Sequence, residues 1–322
     1  MNYARVIGTG SALPERVVTN RDLESRVNTT DQWIYERTGI RSRHIADAHE
    51  NTTVLGERAA RAALDAAGVE PGAVDAVVVA TCTPERVFPS TACLLQERLG
   101  IRGGPAFDVQ AACAGFIYAL GMADMLVRTG GARTVLVIGT ENMSRVIDWT
   151  DRRTCVLFAD GAGAMLLRAD SAPGILSTHL HADGTYKDLL YVPGWVSDDY
   201  AQPSDAPPHM VMHGAEVFRV AVEKLGAAVD EALAANGLDR SALDWLVPHQ
   251  ANVRIIGAMA RRLGLPMHQV VLTIAEHGNT SAASVPLALD VAVRDGRIRP
   301  GQLLLLEAFG GGFAWGSALV RF

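Results

Sequence analysis

The sequence predicts an α/β protein built from two pseudo-symmetric halves. Strand-like apolar segments alternate with helix-like segments, an alternation typical of mixed, mainly parallel sheets covered by helices. The same order of segments occurs twice, which predicts an N-terminal half over residues 1–170 and a C-terminal half over residues 171–322. Of the 322 residues, 49% are hydrophobic and 20% are charged, so the chain has enough apolar material for a large core.

The first pair of matched segments predicts a helix, a turn and a strand. Gly68 aligns with Gly237, and Asp75 aligns with Asp244, when AALDAAGVEPGAVDAVVVATCTP is laid on EALAANGLDRSALDWLVPHQAN. In each segment an alanine-rich helix ends at a glycine and an apolar strand follows. Later matches keep the same order: QERLGI with ARRLGL, MLVRTGGARTVLVIG with VAVRDGRIRPGQLLLLEAFG, and FADGAGA with FAWGSAL.

Two matched helices, 114–128 and 280–294, are apolar on nearly every side. Helices of this kind are buried within a domain, so we expect these two to be central neighbours across a pseudo-twofold axis. The alignment places Cys113 and Asn279 at equivalent N-terminal positions. Two charged pairs are matched in the same register: Asp124 with Asp290, and Arg128 with Arg294.

Cys113, in AACAGFIYAL, is the candidate nucleophile. The unpaired N–H groups and the positive dipole end of a helix N-terminus favour thiolate, which predicts a thiol pKa below its ordinary value. Neighbouring alanines and Gly115 leave room for a substrate carbonyl to approach the sulfur. The alternative is a buried structural cysteine.

Two further motifs carry candidate polar groups. In VPHQAN, His249 follows a predicted strand, at the end where parallel sheets gather ligand groups. In EHGNTSAAS, the amide of Asn279 is placed either to cap the next helix or to donate to a developing oxyanion. A structural role remains the alternative for the histidine.

Three successive glycines, Gly310, Gly311 and Gly312, follow an apolar strand in EAFGGGFAWGSAL. Glycine permits positive φ and lets backbone come close to a ligand. The motif therefore predicts either a tight turn or a backbone N–H aimed at a thioester oxygen.

Composition argues against several other classes of protein. The net charge of −6 disfavours bulk nucleic-acid binding. The four cysteines have no CxxC spacing, so neither a metal site nor a redox pair is predicted. No apolar run reaches the roughly 18 residues that span a bilayer, and the N-terminus lacks the features of a signal peptide. We therefore expect a cytoplasmic protein without a membrane association.

The motifs together resemble the β-ketoacyl-acyl-carrier-protein synthase III family of the thiolase superfamily. The resemblance covers essentially the whole chain and is strongest in AACAGFIYAL, VPHQANVRII, EHGNTSAASVPLAL and LLEAFGGGFAWGSALVRF. It implies a thiolase-like five-layered αβαβα fold and a homodimer. It also implies that fatty acid synthesis is initiated from a short acyl-CoA and malonyl-acyl carrier protein, with acyl-CoA as a substrate and no cofactor.

The resemblance implies roles for individual residues. Cys113 accepts the acyl group as a thioester, and His249 and Asn279 stabilise the enolate formed when the malonyl group loses CO2. The backbone N–H groups of Cys113 and of one glycine within Gly310–Gly312 form the oxyanion hole. The remaining binding residues are Trp33, Arg37 and Arg152 for coenzyme A, and Phe88 for the partner's acyl pocket, where its bulk suggests a short starter chain.

The segment VRIIGAMARRLG predicts an amphipathic helix with arginines away from its apolar stripe. Acyl carrier proteins are acidic, and the resemblance implies that they dock on this helix; a merely solvated face is the alternative. The candidate docking residues are Arg219, Gln250, Ala251, Asn252, Val253, Arg254, Arg261 and Arg262.

Three rival functions are consistent with parts of the pattern. One is a condensing or acyl-transfer enzyme of secondary metabolism with the same fold and different acyl groups. Another is a papain-like protease, since Cys, His and Asn also form that triad. A third is a non-catalytic dimer that keeps the fold.

Overall fold

The computed structural model describes residues 3–193 and 209–322. Its strands are β1 (Tyr3–Ala12), β2 (Val17–Thr19), β3 (Ser42–His44), β4 (Ala76–Ala80), β5 (Ala106–Val109), β6 (Thr134–Asn142), β7 (Asp160–Asp170), β8 (Ile175–Ala182), β9 (Leu190–Tyr191), β10 (Val211–Met212), β11 (Trp245–Pro248), β12 (Leu303–Gly310) and β13 (Ala314–Arg321). Its α-helices are α1 (Asn20–Glu24), α2 (Asp31–Thr38), α3 (Thr52–Ala67), α4 (Thr91–Leu99), α5 (Gly115–Arg128), α6 (Gly214–Ala235), α7 (Val253–Leu263), α8 (Ile274–His277) and α9 (Ser284–Arg294).

Two large sheets share one strand order. The first sheet runs β5-β4-β6-β7-β1, and the second runs β11-β12-β13-β8. Val270 bridges in parallel to Leu246 of β11 and takes the place that β5 has in the first sheet. The sheets are mixed, as predicted, but antiparallel pairs are as frequent as parallel ones in the first sheet. In the second, the short link from β12 to β13 permits only an antiparallel pair.

The five layers follow from the alternation of side chains along the strands. In β4, Val77 packs on the outer side with α3 and α4, whereas Val78 packs on the inner side with α5. In β12, Leu303 packs outward with α6 and α7, whereas Leu304 packs inward. Helices α5 and α9 therefore form the central layer between the two sheets, and the predicted thiolase-like αβαβα architecture is confirmed.

Local details also repeat between the halves. Gly68 and Gly237, which follow α3 and α6, both have a φ of 61°, a conformation that glycine adopts without steric cost. Asp75 accepts a hydrogen bond from the first N–H of β6 at 2.8 Å, and Asp244 accepts one from the first N–H of β12 at 2.7 Å. The aligned residues therefore hold equivalent turns in place.

Strand β7 ends at Asp170 and β8 begins at Ile175, so the predicted division at residue 170 falls at the end of β7. The division itself stays a prediction. Across residues 3–193 and 209–322, no helix combines the length and the apolar character needed to cross a bilayer. The expected cytoplasmic location also stays a prediction.

Candidate active site

Cys113 lies in a 3-10 turn, Ala112–Ala114, that leads directly into α5. Ala112 has a positive φ of 46°, so the turn holds the cysteine in an unusual backbone conformation. Gly310 packs against this turn so closely that an added Cβ would come within 2.6 Å of the Cys113 nitrogen. The end of β12 therefore fixes the position of Cys113, and only glycine fits at position 310.

The three residues predicted to carry the chemistry meet in one cavity. Cys113, His249 and Asn279 all line a cavity of about 150 Å³. Its remaining walls are mainly apolar side chains from α6 and α7, which pack on the second sheet. The cavity therefore passes between these two helices to the sulfur at the start of α5.

His249 emerges directly after β11 and is held from two sides. Its backbone N–H donates to the Glu307 carbonyl oxygen at 2.8 Å, and its ring Nδ1 lies 2.5 Å from the Ser284 hydroxyl oxygen. Burial lowers the pKa of His249 to about 3, so the imidazole is neutral near pH 7. Among the described residues, Nε2 has no hydrogen-bond partner, and it is the nitrogen available to a substrate.

The Asn279 side chain closes a local turn with one end and leaves its donor end available; it caps neither α9 nor the 3-10 turn before it. Its Oδ1 accepts a hydrogen bond from the Ser281 backbone N–H at 2.9 Å, which assigns the two ends of the amide. Its backbone bridges Phe158, with the N–H donating to the Leu157 carbonyl and the carbonyl accepting from Ala159. The Nδ2 group is consequently left for the cavity, whereas the alternative role as a helix cap is wrong, because the N-caps are Thr280 and Ala283.

The expected low pKa of Cys113 is wrong. Burial raises the pKa of the thiol to about 12, and the Ser281 hydroxyl opposes this shift only in part. The cysteine side chain is enclosed on nearly all sides, with 7% of the residue exposed. Loss of solvation for the anion therefore outweighs the favourable helix terminus, and the thiol needs a base before it can attack.

Glu307 is a polar residue of the site that the sequence analysis did not single out. It lines the same cavity, only 1% of it is exposed, and neither carboxyl oxygen has a partner in the described part of the chain. Burial raises the pKa of this carboxyl to about 8, so it is mostly protonated at pH 7. The sequence contains an indication of this residue, because LLLLEAFG places a single acidic side chain within an apolar strand that is buried throughout.

A second cavity, of about 390 Å³, lies against Cys113. Gly311 and Gly312 line it, whereas Gly310 packs against the backbone of the nucleophile turn. The sulfur thus lies between two spaces. This arrangement leaves Gly311 and Gly312 as the candidates for the second oxyanion donor.

The three residues proposed for coenzyme A form one cluster. The Arg37 and Arg152 guanidinium carbons lie 4.7 and 4.9 Å from the centre of the Trp33 ring. The Asn252 side chain, which lines the first cavity, donates to the Arg37 carbonyl oxygen at 3.0 Å. The cluster therefore lies beside the mouth of the cavity that leads to Cys113.

Helix α7 shows the predicted apolar stripe, with Ile256, Met259 and Leu263 buried. Arg254 and Arg261 are exposed on the same helix. Among the other candidate docking residues, Arg219 is exposed on α6, and Arg262 is paired through its Nη2, which lies 3.0 Å from Asp230. Ala251, Asn252 and Val253, just before and at the start of α7, are half-buried.

Gln250 does not belong to an exposed docking surface, contrary to the sequence-based expectation. Only 1% of it is exposed, and its Nε2 donates to the Pro248 and Val271 carbonyl oxygens. Its Oε1 accepts from the Thr273 and Ile274 backbone N–H groups. All of its hydrogen-bonding groups are used to join the end of β11 to the segment before α8.

Phe88 lies far out on the surface, with 82% of the residue exposed. It lines neither of the two cavities that its own chain forms around Cys113. A contact with a second copy of the chain stays a prediction.

Comparison with known proteins places these features in a family. Two family models match, one described as 3-oxoacyl-[acyl-carrier-protein] synthase III over residues 107–184 and one as its C-terminal part over residues 233–322. A β-ketoacyl-[acyl-carrier-protein] synthase III of Thioalkalivibrio sulfidiphilus is 61% identical over the full length of both chains. One from Alkalilimnicola ehrlichii is 60% identical, also over the full length of both.

Solved structures agree with this grouping. The 3-oxoacyl-[acyl-carrier-protein] synthase III of Aquifex aeolicus is 44% identical with a TM-score of 0.93, over 99% of this chain and 100% of that one. The priming β-ketosynthase of the R1128 polyketide pathway is 42% identical with a TM-score of 0.95, over 99% of this chain and 96% of that one. The shared thiolase-like fold excludes a papain-like protease. The chain belongs to the β-ketoacyl-[acyl-carrier-protein] synthase III family of acyl-transferring condensing enzymes.

Proposed function

We propose that the protein initiates fatty acid synthesis by joining a short acyl group from acyl-CoA to malonyl-acyl carrier protein, with release of CoA and CO2. The observation that carries this proposal is the meeting of Cys113, His249 and Asn279 in one cavity. A thiol, an imidazole and a carboxamide are the groups that a two-step condensation requires. Acyl-CoA is a substrate in this scheme, and neither step requires a cofactor.

In the first half-reaction, the acyl group moves to Cys113. The Cys113 sulfur attacks the thioester carbonyl while its proton passes to Nε2 of His249, and the CoA sulfur leaves with that proton. Because burial holds the pKa of the thiol near 12, the proton has to be removed as the sulfur attacks, and His249 is the imidazole that lines the same cavity. Backbone N–H groups of Cys113 and of Gly311 or Gly312 stabilise the tetrahedral oxyanion.

In the second half-reaction, the malonyl group loses CO2 and becomes the nucleophile. The electrons of the broken carbon–carbon bond move into the thioester, whose oxygen accepts hydrogen bonds from Nδ2 of Asn279 and from Nε2–H of His249. These two donors supply several kcal/mol of stabilisation. The enolate carbon then attacks the acyl-Cys113 thioester, which forms the 3-oxoacyl product and releases the sulfur as a thiolate that takes up one proton from water.

The two cavities suit the two ends of acyl-CoA. Trp33, Arg37 and Arg152 offer an aromatic face and two cations for the base and phosphates, next to the mouth of the first cavity. The second cavity, beyond the sulfur, holds the acyl chain. Phe88 from a second copy of the chain closes this acyl pocket in a homodimer and limits it to short chains.

The carrier protein docks on the exposed arginines around the same mouth. Arg254 and Arg261 extend from α7 and Arg219 extends from α6, whereas Arg262 is already paired with Asp230. Acidic carrier proteins complement such a basic surface, on a chain whose overall charge is −6. The half-buried residues from Ala251 to Val253 complete the contact.

The proposal is tested by replacing the nucleophile. Cys113→Ser lowers formation of the 3-oxoacyl product from acetyl-CoA and malonyl-acyl carrier protein by more than about 1,000-fold, since the alcohol is a much weaker nucleophile here. Cys93→Ser, which changes an exposed thiol, keeps the wild-type rate and serves as the control. A Cys113→Ser enzyme with substantial product formation would contradict the proposal and favour a non-catalytic role for this thiol.

A second candidate is the priming of a secondary-metabolite pathway. The R1128 enzyme shares the fold at a TM-score of 0.95, which supports this alternative, but it is 42% identical against about 60% for the fatty-acid relatives. Steady-state rates with acyl-CoA substrates of increasing length separate the two. The proposal predicts the highest kcat/KM with the shortest straight chains, whereas a preference for longer or branched groups would favour the alternative.

A further inference from the structure

The ring of His249 is held by a hydroxyl group rather than by a carbonyl or carboxylate. Nδ1 lies 2.5 Å from Oγ of Ser284, the first residue of α9, and both residues are buried. The same Oγ accepts a weaker hydrogen bond from the Gln250 backbone N–H at 3.3 Å. The serine therefore has a fixed position, while the direction of its own O–H remains free to change.

The two half-reactions of the proposed function, on which this inference rests, need opposite states of the outer ring nitrogen. Acylation of Cys113 requires an unprotonated Nε2 that can take the thiol proton. Decarboxylation requires Nε2–H as a hydrogen-bond donor to the malonyl thioester oxygen. A neutral imidazole carries a single N–H, so the two states are the two tautomers of His249.

The chemistry of the partner on Nδ1 decides whether both tautomers are accessible. A carbonyl or carboxylate oxygen only accepts, and it would hold the proton on Nδ1 throughout. A hydroxyl both accepts and donates, so it can satisfy Nδ1–H in one state and bare Nδ1 in the other. The other titratable groups in the cavity are Cys113 and Glu307, and neither has a hydrogen bond to the His249 ring within the described ranges.

We propose that Ser284 is a positioning residue whose hydroxyl allows His249 to exchange tautomers between the two half-reactions. In the free enzyme Nδ1–H donates to Oγ, and Nε2 takes the proton of Cys113 and passes it to the departing CoA sulfur. In the acyl-enzyme, exchange with water removes the proton from Nδ1 and adds one at Nε2, while the Ser284 O–H turns to donate to Nδ1. The ring is neutral before and after, and no proton is gained or lost overall.

Nitrogen-15 NMR of histidine-labelled enzyme tests the exchange directly, because protonated and bare ring nitrogens have distinct shifts. The His249 signal, assigned by its loss in His249→Gln, is expected to change from the Nδ1–H to the Nε2–H tautomer when acetyl-CoA acylates the enzyme. The same tautomer in the free enzyme and in acyl-enzyme confirmed by mass spectrometry would overturn the inference alone. Failure to form any acyl-enzyme would instead overturn the proposed function and this inference with it.

Variants of Ser284 separate positioning from a merely structural role. In Ser284→Ala, a bare Nδ1 is less costly to bury than an unpaired N–H, so the ring stays as Nε2–H. Acylation is then expected to fall about 100-fold, while decarboxylation by pre-acylated enzyme stays within about threefold. Ser284→Thr, which keeps the hydroxyl, restores acylation. Equal losses in both half-reactions, or no rescue by threonine in a variant that remains folded, would contradict the proposal.

Discussion

The starts of the two central helices have the same scaffold and opposite chemical character. Before α5, small residues surround Cys113 and leave its sulfur accessible from two cavities. Before α9, Asn279 accepts a hydrogen bond from the Ser281 N–H, and the first residue of α9, Ser284, contacts the His249 imidazole. The repeated fold thus supplies two equivalent positions facing one space. In the proposed mechanism, the residue type at each position decides which one provides the nucleophile and which one provides the donors.

Further along, both central helices carry a matched arginine–aspartate ion pair. The two pairs differ in the hydrogen bonds that support the aspartate. Arg128 Nε lies 2.7 Å from Asp124, and Arg294 Nε lies 3.2 Å from Asp290. Asp290 also accepts hydrogen bonds from two hydroxyl groups of β1, at 2.8 and 2.6 Å. Oδ1 of Asp124 has no such partner in the residues described, and burial raises the pKa of its carboxyl. Within those residues, Asp290 therefore has two supporting hydroxyl contacts that Asp124 lacks.

The largest expected effect comes from removing the donor at the start of α9. Asn279→Ala lowers decarboxylation of malonyl-acyl carrier protein by about 100- to 1,000-fold, because the enolate loses a preorganised hydrogen bond. Formation of acyl-Cys113 stays close to the wild-type rate. The release of CO2 and the intact mass of the enzyme measure the two steps separately.

Asn279→Asp is the matched variant, since a carboxylate keeps the acceptor for the Ser281 N–H and removes the donor. It should be as deficient in decarboxylation as the alanine variant. If it instead retained wild-type activity, the hydrogen bond from the Ser281 N–H rather than donation to the substrate would be the role of this position.

A smaller effect is expected at the site proposed for coenzyme A in the first half. Trp33→Ala raises the KM for acyl-CoA about tenfold and leaves the KM for malonyl-acyl carrier protein unchanged. The reason is the loss of the indole face, whose interaction with each cation is worth roughly 1 kcal/mol. Tyr35→Ala is the control, because Tyr35 lies on the same helix as Trp33 and its ring also faces an arginine. The Arg41 guanidinium carbon lies 3.9 Å from the centre of the Tyr35 ring. Equal changes in both variants would show a general effect on α2.

The smallest expected effect is a difference between the two aspartates in what each contributes to the free energy of unfolding. Asp290→Ala is expected to lower the free energy of unfolding by about 2–4 kcal/mol, and Asp124→Ala by about 1–2 kcal/mol. The side chains are equally buried, so the difference isolates the two additional hydroxyl contacts. Urea unfolding measures both values, and a larger loss for Asp124→Ala would contradict this comparison.

The sequence predicted the repeated order of strands and helices, and the three candidate side chains that line one cavity, because their signals are local. The five layers were implied by the family resemblance. Helix ends, glycine stops and the register of Asp124 with Asp290 are visible in short segments that match. The pKa of Cys113 and the burial of Gln250 were predicted wrongly, since both depend on packing against residues distant in the chain. Ser284 was read only as part of a motif, because its contact with His249 spans 35 positions of sequence.

Mapping the acyl group by peptide mass spectrometry, before and after addition of malonyl-acyl carrier protein, tests the central claim most directly. After acetyl-CoA alone, the acetyl group should be on the peptide that contains Cys113 and not on peptides with Cys82, Cys93 or Cys155. On addition of malonyl-acyl carrier protein it should disappear from wild-type enzyme as the 3-oxoacyl product forms, and persist in Asn279→Asp. An acetyl group on another residue, or one that stays on Cys113 while product accumulates, would contradict the account.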